Sequence, residues 1–77
     1  MRIVNRWGTV DLPYEKLIIL YDKALDSHYV KASDGFGYIT DSIILGEYES
    51  KERCFEVMES IRTSYMHDKK VFIVPEE

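Results

Sequence analysis

Seventy-seven residues leave room for one domain, which at this size buries only roughly 60% of the surface its unfolded chain exposes, and a single cysteine excludes an internal disulfide that would offset so small a core. Ten basic residues against fourteen acidic ones give a formal charge of −4, which opposes non-specific binding to DNA, RNA or an anionic membrane, since each needs a basic surface. The opening Met1 to Arg6 is too short for a signal peptide, and no apolar run approaches the roughly 20 residues of a membrane span.

In chain order, Arg2 to Arg6 is a short β-like run, Trp7-Gly8 supplies a turn, and Thr9 to Leu12 returns with period-two alternation, so the chain opens as a hairpin. Pro13 forbids a continuing central strand and Tyr14-Glu15-Lys16 reads as a corner. Leu17 to Tyr21 is then apolar on both faces and is the candidate for the sheet centre. Asp22 to Ser27 is a polar connection, although Tyr21 to Leu25 could form one helical turn, and His28 to Ala32 alternates again. Ser33 to Asp41, with two glycines and two aromatics, reads as the longest loop. Ser42 to Tyr48 is a further strand, in which Gly46 signals a bulge or a close backbone approach.

The helix has identifiable causes. Ser50 can cap the first free N–H groups, Glu52 places negative charge in the first turn, and no proline or glycine falls between Lys51 and Asp68. Cys54, Val57, Met58, Ile61 and Tyr65 recur at intervals of three and four, with Phe55 on the flank, which predicts one long amphipathic helix over about 51–66. Glu49 with Arg53, and Glu59 with Arg62, stand at pairing distance across a turn, each pair worth only about 0.2–0.5 kcal/mol. Burial of the apolar stripe therefore dominates. Val71 to Val74, bounded by Pro75, closes as a short strand. The resulting expectation is a single α+β domain over residues 1–77, with a mainly antiparallel sheet of five or six strands and the helix packed on one face.

None of this carries catalytic chemistry. His28 and His67 lack the spacing of metal ligands and have no cysteine partner, so no metal site is expected. Cys54 falls on the apolar face, where a cysteine behaves as a small buried hydrophobe. Glu47, Glu49, Glu52, Glu56 and Glu59 are explained as a solvated face. Asp34-Gly35-Phe36-Gly37 lacks the third glycine and following helix of a phosphate loop, and Phe36 and Tyr38 replace the oxygen ligands that a calcium loop between Asp34 and Asp41 would need. No cofactor and no enzymatic activity are expected. Phe36 and Tyr38 either fold back over the sheet or present contact area to a partner. Arg2, Arg6, Trp7, Lys69 and Lys70 would converge if the last strand pairs with the first, and arginine with tryptophan suits anion binding and base stacking.

The opening Ile3 to Glu15, with Gly46 to Arg53 and Val71 to Glu77, resembles small uncharacterised proteins of bacteriophages, prophages and their Firmicutes hosts. The resemblance carries no assigned catalytic residue. It implies a cytoplasmic accessory protein, in the host cell if phage-encoded, that acts by binding. The favoured expectation is a phage-type factor that engages a host defence protein through exposed aromatics or a sheet edge. The alternative is an oligomeric sponge that binds a signalling nucleotide at a subunit interface, using Arg6, Trp7 and Arg53 or Arg62. A small core and a sheet with one covered face also predict self-association, as a symmetric homodimer or a higher homo-oligomer, through uncovered faces bearing Tyr14, Tyr29, Phe36 or Tyr38 or through open edges.

Overall fold

The computed structural model describes residues 1–33 and 42–77. Among them are six strands and one α-helix, in the order β1 (Arg2–Val4), β2 (Asp11–Pro13), a 3₁₀ turn (Tyr14–Lys16), β3 (Ile18–Ala24), β4 (Ser27–Ser33), β5 (Ile43–Tyr48), α1 (Lys51–Met66) and β6 (Val71–Ile73). The α+β class, the opening hairpin, the helix bounds and the short closing strand agree with the pattern of the sequence.

The single sheet of five or six strands does not form. The strands divide into two three-stranded sheets, ordered β2-β1-β6 and β3-β4-β5. Pro13 and the 3₁₀ turn take the chain out of the first ladder before β3 begins, so the first hairpin cannot continue into the second sheet. β6 then returns parallel to β1 and gives the first sheet its third strand. One backbone bond, from Arg6 N–H to the Leu45 carbonyl at 2.9 Å, ties the two layers together.

The place of the Leu17 to Tyr21 run also differs from expectation. Ile18 to Tyr21 belong to β3, an edge strand, and the central strand is β4, which pairs antiparallel with β3 and β5. The connection Asp22 to Ser27 is mostly strand, reduced to a two-residue turn at Leu25 and Asp26. Gly46 does mark a bulge. Val30 stands opposite Gly46 and Lys31 opposite Ile44, leaving Leu45 without a counterpart, fully buried against the helix side. The close approach is equally real, since a Cβ on Gly46 would lie 2.5 Å from the Tyr48 hydroxyl oxygen.

The helix starts as its sequence predicts, with Ser50 Oγ accepting from Arg53 N–H at 3.1 Å. It ends at an αL residue, Asp68 at φ 58°. Asp68 N–H bonds the Tyr65 carbonyl and Lys69 N–H the Ser64 carbonyl, the paired bonds of a Schellman stop. Cys54, Val57 and Ile61 face inward and join Val30, Ala32, Leu45 and Tyr48 of the second sheet, and Ile3 and Val74 from the first sheet and its exit, in one buried cluster. Tyr65 and Phe55 lie at the margin. Tyr65 packs against Tyr14 with the rings tilted and 4.8 Å between centroids, and Phe55 meets the Tyr21 ring edge-on at 5.5 Å.

Candidate functional site

The end of the molecule at the helix N-terminus holds a cleft of about 600 Å³. It lies where β1 exits at Arg6, the β3-β4 turn comes round at Asp26 and Ser27, β5 ends at Glu47 and Tyr48, the helix cap begins at Glu49 and Ser50, and the chain after β6 returns at Glu76 and Glu77. These five segments meet there because Arg6 hydrogen-bonds to β5 and because Tyr48 donates its hydroxyl to the Pro75 carbonyl at 2.6 Å. Burial raises the affinity of that hydroxyl for its proton, against the opposing charges of Arg53 and Arg6, so it remains a donor at neutral pH.

Two of the predicted residues come together here. Arg6 Nη1 donates to the Glu47 carbonyl at 2.5 Å. Arg53 stands over the Tyr48 ring, 5.8 Å from its centroid, and donates to the Glu77 carbonyl. Five carboxylates against these two guanidiniums leave the cleft with a local excess of three negative charges. The carboxylates are spread around the rim, and among the described residues no three acidic, histidine or cysteine side chains gather as a metal would require. Glu47 is further occupied by Ser27 Oγ, which donates to it at 2.8 Å.

Trp7 adjoins the cleft through Arg6, whose guanidinium carbon is 5.3 Å from the indole centroid, and its side chain is about half exposed at 51%. Arg62 does not join them. It lies nine residues beyond Arg53, roughly 13 Å along the helix, exposed and paired with Glu59. Glu49 and Arg53 form no ion pair among the described contacts, because Arg53 turns to the Glu77 carbonyl. Phe36 and Tyr38, and the readings of Asp34 to Gly37 and of Asp41, lie outside the described residues.

The basic group expected from pairing of the first and last strands divides in two. Arg2, Lys69 and Lys70 gather with Glu15, Tyr65 and Asp68 around a second depression of about 580 Å³ at the helix C-terminus. Arg6, beyond the far end of β1, lines the acidic cleft instead, with the Trp7 ring against its guanidinium. His28 accepts or donates at Nδ1 with the Tyr21 hydroxyl at 2.8 Å, while His67 is exposed at the helix end, so the two histidines serve separate local structures. Cys54 is buried, and burial pushes its thiol up, away from a reactive thiolate.

One residue of this end was not singled out by sequence pattern. Leu25, at the tip of the β3-β4 turn and next to the cleft residues Asp26 and Ser27, is 95% exposed and has φ 56°. A leucine inside the otherwise polar stretch Asp22 to Ser27 is the signal that marks it. No family model, curated protein or solved structure matches this chain.

Proposed function

We propose that this chain is a small non-enzymatic binding protein, of the kind phages carry against host defences, and that it engages a host protein at the end built around the acidic cleft. The observation that carries the reading is Leu25. An L-residue in the left-handed region costs roughly 1–2 kcal/mol that glycine would avoid, and this one exposes almost all of its apolar side chain. Stability alone would not retain it, and strained, exposed positions concentrate where proteins make contact. Leu25 and Trp7 then act as apolar anchors beside a rim of carboxylates, an arrangement suited to a partner surface with an apolar pocket and surrounding basic groups.

Leu25→Gly separates this reading from a structural one. The variant relieves the backbone, so its melting temperature should rise while its affinity for the host partner falls at least about tenfold, with Trp7→Ala losing affinity as well. The measurement is affinity capture from host extract with wild-type and variant baits, followed by titration of the purified captured protein. Equal affinity for all three baits would refute the assignment of this surface.

Arg6 and Arg53 sharing one cleft with the Tyr48 ring favours a second reading, a nucleotide sponge. The local negative excess and the commitment of both guanidiniums to backbone carbonyls count against it. Calorimetric titration with cyclic dinucleotides tests it directly, and tight binding abolished by Arg53→Ala would replace the first reading with the second.

A further inference from the structure

Four strand edges border the two sheets, and they differ in what they offer a neighbour. Tyr14 N–H bonds the Met1 carbonyl and Asn5 N–H bonds the Val10 carbonyl, so Val10, Leu12 and Tyr14 direct their backbone groups to β1 while Asp11 and Pro13 face outward. The β2 edge therefore presents a proline without an N–H, a standard guard. The β5 edge is engaged at the Leu45 carbonyl by Arg6. The second half of β3 carries Asp22 and Lys23, charges that discourage pairing.

β6 has no such guard. Arg2 N–H bonds the Lys70 carbonyl at 2.8 Å and Val74 N–H bonds the Val4 carbonyl at 2.9 Å. In a parallel ladder this parity turns Lys70, Phe72 and Val74 toward β1 and leaves the N–H and C=O groups of Val71 and Ile73 facing outward. Among the described residues those groups have no backbone partner, and β6 has no strand on its far side. The side chains of the same two residues are 50% and 68% exposed. Pro75, the next outward position, limits any added ladder to Val71 and Ile73.

We propose that this edge pairs with β6 of a second copy, antiparallel about a two-fold axis through Phe72. The register is self-complementary. Val71 of one copy stands opposite Ile73 of the other, each such pair exchanges two backbone bonds, and four aliphatic side chains meet on one face. Charge agrees with the antiparallel sense, because Lys69 and Lys70 precede the strand and Glu76 and Glu77 follow it, bringing each copy's lysines toward the other's acidic segment. The two sheets become one of six strands, β2-β1-β6 continued into its symmetry mate. Pairing through the outer face of β3-β4-β5 is less favourable, since it would bury the ion pair of Lys31 with Asp22, 2.7 Å apart, at a desolvation cost.

This interface shares Glu76 and Glu77 with the rim of the cleft but uses neither Leu25 nor Trp7, so the variants that test the two surfaces are different. Its test is sedimentation equilibrium over a concentration series together with amide hydrogen exchange. The mass should rise from 9.1 kDa toward twice that value, and the Val71 and Ile73 amides should become protected as concentration rises. Ile73→Lys, at an exposed position, should raise the dissociation constant at least about tenfold, with Val71→Lys as a second variant should the first perturb folding by circular dichroism. A constant monomer mass at high micromolar concentration would overturn the proposal. So would a dimer that persists in both variants with the two amides still exchanging freely.

Discussion

Asn5 is buried and commits its whole side chain to the turn that follows it. Its Oδ1 accepts from Thr9 N–H at 2.9 Å and Val10 N–H at 3.0 Å, and its Nδ2 donates to Thr9 Oγ1 at 3.0 Å. These bonds close the first hairpin and so hold Arg6 at the cleft, with Trp7 against its guanidinium. Asn5→Ala strips two backbone donors of their acceptor and should cost about 1–3 kcal/mol, read as a lower urea midpoint. Gly46 is constrained from the other direction. An added methyl would displace the buried Tyr48 ring and its bond to Pro75, so Gly46→Ala should cost about 1–3 kcal/mol by overpacking. Asp22 supplies a pH-dependent contribution. The hydrogen bond from Lys31 Nζ, helped by Lys23 N–H, holds its carboxyl below the usual carboxylate range. Its stabilisation is complete above that range and is lost as pH falls, first as the unfolded chain takes up the proton and then as the folded carboxyl does. Asp22→Asn should therefore flatten the acid limb of the stability profile in a urea series between neutral pH and pH 3, and an unchanged limb would show that the pair contributes nothing.

At the scale of elements, the helix was legible because its causes are local. Ser50 caps it, the stripe from Cys54 to Ile61 is buried, and no internal residue breaks it. Its margins were less legible, since periodicity cannot say where the sheet beneath it ends. Phe55 is 47% exposed because β3 is an edge and the ring overhangs it. Phe55→Ala should thus cost clearly less than the roughly 3–5 kcal/mol of a fully buried phenylalanine, measured by chemical denaturation. The helix stop was hidden for a different reason. Asp68 takes the αL position where glycine is usual, and aspartate adopts it at a smaller penalty than most residues. The β3-β4 turn was missed because Leu25 supplies the positive φ normally announced by glycine or asparagine, so the short connection looked like a longer polar one. Strand pairing was the least legible. Apolar content on both faces of Leu17 to Tyr21 suggested a central strand, yet partner choice depends on the exit at Pro13 and the parallel return of β6, which lie far apart in the chain.

Across the whole molecule, charge is segregated along the helix axis. The carboxylates of the cleft lie at the N-terminal end of α1, while Arg2, Lys69 and Lys70 lie at the C-terminal end. Both placements favour the helix dipole, which accounts for part of the segregation without any ligand. Individually the arginines of the cleft were visible in the sequence, but their joint location was not, because Arg6 and Arg53 are brought together only by the contact of β1's exit with β5 and by the return of the chain after β6. The same geometry bears on nucleic acid. Had Arg2, Arg6, Lys69 and Lys70 formed one track, they could have followed a phosphate backbone. Instead the basic end holds three cationic side chains, one of them, Arg2, already bonded to Asp11 at 2.8 Å, with Asp68 and with Glu15, itself paired with the Met1 ammonium, among them. Neutralising at most three phosphates gives a salt slope no steeper than about −3 in log affinity against log salt. The negative cleft at the opposite end adds repulsion. Random duplex DNA should accordingly show no retention at physiological salt, and at low salt only weak binding that Lys69→Glu removes. Fluorescence anisotropy with a labelled duplex reads both quantities, and tight, sequence-independent binding with a slope steeper than about −5 would require a continuous basic surface that this arrangement of strands does not provide.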